Sequence, residues 1–204
     1  MNDANPDLDA LAGFLEHLDP RDAAAAAFAR HLLDAGAVVR SLWGPVQMDV
    51  RGLSVQRGDM IVRFGVERGF SDGVLIGRAD AADESGLRPI ALAVFAWARA
   101  NGIPLQLDDP DGIEVDLVTV GIPALDWVGA GNDDAVHRVH RAWFEHRRRL
   151  DRLQGRTRGR PSDVDLRAVI ADGVAALEAA APRAVPSRPT QDPAADPASS
   201  PRTV

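Results

Sequence analysis

The chain of 204 residues has no cysteine, no tyrosine and no lysine. Without thiols it cannot form disulfides, cysteine nucleophiles, cysteine-based zinc fingers or iron–sulfur ligation. Without lysine it cannot supply a Walker A phosphate lysine or a cofactor Schiff base. No run of about 18 apolar residues is present, so no membrane-spanning helix is expected. The first residues, MNDANPDLDA, are acidic and lack an apolar signal core. A cytoplasmic location without membrane association is the expectation. All 23 basic residues are arginine, in an alanine-rich chain. That bias fits GC-rich coding and discounts each arginine-rich motif.

What is present suits one domain with a substantial core, since 46% of the residues are hydrophobic. Leu8, Leu11, Phe14, Leu15 and Leu18 repeat at helical spacing behind Pro6. Asp19-Pro20 reads as the cap and first residue of a second helix, which Gly36 stops. The period then falls to two, through Val46, Met48 and Val50, Leu53 and Val55, and Met60, Val62, Phe64 and Val66. These residues and 74–78 read as strands, with turns at Arg51-Gly52, Arg57-Gly58-Asp59 and 69–73. Residues 89–101 predict an apolar helix ended by Gly102. Residues 105–107 and 113–120 predict a hairpin around Asp108-Asp109-Pro110-Asp111-Gly112.

Asn132 reads as the N-cap of a long helix that reaches about Gln154 and stops at Gly155. Ser162 and Asp165 resemble a capping box for a last helix. Frequent proline from Pro182 onward predicts a disordered tail. The expected organisation is a single domain over 1–154, an arginine-rich hinge over 155–161, a helix over 162–181 and the tail over 182–204. The expected fold class is α+β. An antiparallel sheet, meander plus hairpin, carries flanking helices, with long amphipathic helices toward the C-terminus.

The middle of the chain, 23–153, resembles the type III secretion chaperone-like fold shared with bacterial sensory-regulator proteins. The resemblance is one of element order: helix, three-strand meander, helix, hairpin, helix. It rests on the strands at 60–67 and 74–78, the helix at 90–101, and the hairpin at 105–120 followed by Ile122-Pro123. It implies a protein-binding role.

The strongest local signal is cationic. Residues 136–160 carry nine arginines against two acids, a local net charge of +7 on a chain of net −7. Within this block Val136, Val139, Trp143, His146, Leu150 and Leu153 step by three and four, a heptad-like seam. Val139, Trp143, His146 and Leu150 are the candidate protein interface, for another protein or a second copy in a homodimer. Burial of the seam on the chain's own sheet is the plainer alternative. Most charges on the opposite face have a helical partner: Asp134–Arg138, Arg141–Glu145, Glu145–Arg149 and Arg147–Asp151 are i,i+4 pairs. Arg156, Arg158 and Arg160 have none and are the candidate nucleic-acid contacts. Arg158-Gly159-Arg160-Pro161 is similar to the core of an AT-hook, whose arginines lie along the minor groove. As a linker, the same residues need no ligand.

Other signals are weaker. His137 and His140 at i,i+3 lack a third metal ligand, and His146 reads as a satisfied core or boundary histidine. Gly69-Phe70-Ser71-Asp72-Gly73 has nucleophile-elbow spacing, but a strand rather than a helix follows. The acidic groups Asp80, Asp83 and Glu84, and Asp108, Asp109 and Asp111, read as solvated turns without a known calcium-loop register. Arg57-Gly58-Asp59 reads as a hairpin turn. The expectation is a non-catalytic protein-binding domain, chaperone-like or regulatory, without cofactor or metal. A nucleic-acid-associated role through the arginine-rich helix end is the alternative.

Overall fold

In the computed structural model, residues 8–80, 86–156 and 162–184 are described. Helices α1 (Leu8–Leu18) and α2 (Ala23–Asp34) precede β1 (Val38–Val46), β2 (Val50–Arg57), β3 (Met60–Glu67) and β4 (Phe70–Arg78). The two-residue β5 (Arg88–Pro89) leads into α3 (Ile90–Ala100). Then come α4 (Leu117–Trp127), α5 (Asp133–Arg156) and α6 (Asp163–Ala180). The strands form one antiparallel sheet in the order β1-β2-β3-β4-β5. The fold is α+β, as the sequence predicts.

The alternation of β2 and β3 sets the core. Leu53, Val55, Val62, Phe64 and Val66 are fully buried together with Phe28 and Leu32 of α2, Phe95 of α3 and Leu125 of α4. Gly36 ends α2 as expected, with φ +84° and the Gly36 and Ala37 N–H groups returning to Leu33 and Leu32 carbonyls. Gly102 ends α3 in the same way. Beyond the sheet, α4 packs on α2 and α3, α5 packs on α3, and α6 packs on α5.

Several local expectations are overturned. The hairpin at 105–120 does not form. Residues 103–116 carry neither helix nor strand, and 117–127 is helical. Asp116 decides this: its carboxylate accepts the Val118 N–H at 3.2 Å and the Thr119 hydroxyl at 2.6 Å, capping α4. Leu117, Gly121, Ala124, Leu125 and Val128 then bury one helical face. The stretch 38–45, not expected as a strand, forms β1 together with Val46, and Arg51-Gly52 lies inside β2 instead of in a turn. Met48 leaves the strand pattern for a short 3-10 turn, Gln47–Asp49. Asp22, not Asp19, caps α2, accepting the Ala25 N–H at 2.9 Å. The Asn132 side-chain amide turns back to the Trp127 carbonyl at 2.8 Å, across a π-type turn at Val128–Asn132. The expected tail falls almost entirely outside the described residues.

Candidate functional site

The α5 seam is covered by its own chain, with Val136 and Val139 part of the one buried core. Val136, Val139 and His146 are buried where α3 and α6 close over the helix. Trp143 and Leu150 are half-buried. Of the four proposed interface residues, Val139 and His146 therefore face inward, and Trp143 and Leu150 reach the rim. Close approach of α6 depends on Gly173, where a Cβ would stand 2.2 Å from His146 Nδ1. Arg99 of α3 joins α6 and the loop 103–116, donating to Glu178 of α6 at 2.8 Å and to the Leu105 carbonyl at 2.7 Å. The Glu178 carboxylate holds the Arg99 guanidinium above its ordinary pKa.

The exposed face of α5 meets the loop 103–116. Trp143 Nε1 donates to Asp111 Oδ1 and Arg147 donates to Asp111 Oδ2, both at 2.8 Å. Arg147 also lies over the Trp143 ring, 5.9 Å from its centroid. Its pKa is raised, by the Asp111 bond above all and by the nearby Asp111, Asp151 and Asp109 charges. The expected helical pairing is thus redirected: Arg147 bonds Asp111 and Arg149 approaches Asp172 of α6 at 3.9 Å. Asp109 fixes the loop, accepting the Asp111 N–H on Oδ1 at 2.9 Å and the Gly112 N–H on its carbonyl at 3.0 Å. Pro89, Leu92, Pro110, Ile113, Trp143 and Arg147 border an adjoining cleft of about 240 Å³.

Below Asp111 lies His146. Single ligand atoms from Asp109, Asp111 and His146 all lie within 4.8 Å of one another. His146 is 2% exposed, and neither ring nitrogen has a hydrogen-bond partner among the described residues. The expectation of a satisfied histidine is corrected: it is buried and unsatisfied. His137 and His140, which lack a third ligand in the sequence, do not join this cluster. His137 is exposed, and His140 stacks on Trp143 with centroids 5.8 Å apart. Desolvation, then the Arg88 and His137 charges, lowers the His140 pKa. Sequence reasoning noted Asp109 and Asp111 and separately His146. Nothing in the chain's spacing joins a loop to a helix turn 35 positions later.

A second exposed feature lies at one end of the sheet. Among the described residues, three non-glycine positions take a positive φ: Met48 (64°), Asp49 (58°) and Arg68 (52°). They are neighbours, since the Arg68 N–H donates to the Met48 carbonyl at 3.1 Å. Asp49 is clamped by a hydrogen bond from Arg51 Nε at 2.8 Å, with His17 Nε2 in charge contact at 2.9 Å but outside hydrogen-bond geometry and Arg21 at 3.7 Å. The Arg51 bond leads, with His17, in holding the Asp49 carboxyl below its usual range. Around this turn Val46, Met48 and Phe70 stand 55%, 60% and 77% exposed. Trp43 lies over Gly52 of β2, where a Cβ would be 2.6 Å from the indole.

The remaining sequence signals resolve locally. Ser71 lies within β4, its hydroxyl donating to Asp22 Oδ2 at 2.9 Å and accepting the Gly73 N–H at 3.0 Å. Strand follows strand there, so the residues do not build a nucleophile elbow. Arg57 forms a two-pronged bond to Asp126 at 2.8 and 3.0 Å. Arg78 approaches Asp80 at 3.5 Å, whereas Asp83 and Glu84 lie outside the described residues. Arg156 is the last residue of α5, and Arg158 and Arg160 lie outside the described residues. No family model, curated protein or solved structure matches the chain.

Proposed function

We propose that this chain is a non-catalytic protein-binding domain whose contact surface is the end of the sheet formed by Val46, Met48 and Phe70, with Trp43 at its side. The observation that carries this reading is the coincidence of backbone strain with apolar exposure. Left-handed backbone at a non-glycine residue costs on the order of 1 kcal/mol or more and persists where surrounding structure enforces it. Here the Asp49 clamp and the Arg68–Met48 bond enforce it. The result presents a flexible methionine and a phenylalanine to solvent. Apolar side chains grouped in this way suit docking of an apolar segment from another protein.

The seam on α5 is set aside as the main contact, because α3 and α6 already cover it. The test compares partner capture by the full chain and by a Met48→Asp/Phe70→Asp variant. Both side chains are exposed, so the variant should retain its unfolding temperature. The reading expects a specific partner retained by the wild-type chain and lost by the variant. An identical captured set from both chains contradicts it.

A further inference from the structure

The loop 103–116 and α5 bring together a ligand set that the protein-binding reading does not use. A neutral imidazole has one donor and one acceptor nitrogen, and a buried polar atom without a partner is penalised. His146 is 98% removed from solvent with both nitrogens unpartnered among the described residues, and one of them lies within 4.8 Å of carboxylate oxygens of Asp109 and Asp111. From this convergence we propose that Asp109, Asp111 and His146 bind one divalent first-row transition-metal ion, of which zinc is the representative.

The chemistry of the donors favours such an ion. Zinc takes imidazole nitrogen and carboxylate oxygen at about 2.0–2.2 Å, which in a tetrahedral site sets ligand atoms roughly 3.4 Å apart. The cluster needs to contract by at most about 1.4 Å to reach that spacing. Calcium and magnesium prefer all-oxygen sets, and the buried imidazole nitrogen disfavours them. The local charge is also suitable. Two carboxylates outweigh the single Arg147 cation, which weakens the site through repulsion yet, together with Trp143, orients the Asp111 carboxylate. Three protein ligands leave a fourth position for water. The exposed side of Asp111 supplies the entry path. Bound there, the ion would pin a loop without helix or strand onto α5 beneath α6.

The test is zinc titration of the metal-stripped, tag-free full chain by calorimetry, with cobalt substitution read by visible absorption. Two variants remove ligands differently. Asp109→Asn keeps an acceptor for the Asp111 N–H, and His146→Leu fills the buried position with an apolar side chain. The proposal expects one ion per wild-type chain, at least tenfold weaker uptake in both variants, and loss of the cobalt band in His146→Leu. A His137→Ala/His140→Ala control should bind as the wild type does. Absence of stoichiometric uptake, undiminished uptake in either ligand variant, or loss of uptake in the control overturns it.

Discussion

Two glycines show how far a single side chain matters in this molecule. Gly173 lies on the face of α6 turned to His146, and a Cβ there would meet the ring at 2.2 to 2.8 Å. The Gly173→Ala change should push α6 away from α5 and cost about 1–3 kcal/mol of stability, as overpacking does. Gly13 is exposed in the middle of α1, and a Cβ would meet nothing within 4 Å. Gly13→Ala should instead stabilise by roughly 0.5–1 kcal/mol, because alanine is the better helix residue. Urea unfolding of the two variants beside the wild type reads both signs. Asp49 supplies a pH signature at the same scale. Its folded pKa lies below its ordinary 3.8, so its contribution is complete above that pH. The contribution is lost as pH falls through the lower folded value. Unfolding measured against pH should show Asp49→Asn less stable than the wild type at neutral pH, with the gap closing below about pH 4. A gap that persists into strong acid would contradict the clamp.

Elements were legible where hydrophobic period and punctuation agreed. The alternation from Met60 to Val66 gives β3, and the apolar run closed by Gly102 gives α3. Legibility failed where local pattern and tertiary burial compete. Residues 113–120 contain Val115, Leu117, Val118 and Val120, β-branched enough to read as a strand. What decides for helix is the Asp116 cap, and the fit of Gly121 against Phe28, where a Cβ would stand 2.4 Å from the ring. Substituting Asp116→Ala should lower both the unfolding midpoint and the helical ellipticity if this cap sets the start of α4. An unchanged unfolding midpoint would mean that packing alone sets it. The seam of α5 was legible as an apolar stripe, but its cover was not. Nothing local in 136–153 says that α3 and α6 lie against it. The convergence of His146 with Asp109 and Asp111 was invisible for the same reason, since it depends on where a loop without regular structure comes to rest.

For the whole molecule, the strongest sequence signal and the proposed contact surface separate. Two of the seven arginines of α5 meet carboxylates of other elements, Arg147 at Asp111 and Arg149 at Asp172. The proposed surface lies at the sheet end, on Val46 and Met48, whose alternation suggests an ordinary strand, and on Phe70, which the sequence places in a turn. A photo-crosslinking amino acid placed at Phe70 tests that surface most directly, with Val164 of α6 as the control, because both side chains are 77% exposed. The expected result in the living cell is a discrete crosslinked protein partner from position 70 and none from position 164. Equal, unspecific labelling from the two positions, or none from position 70, would contradict a protein-docking role for this end of the sheet.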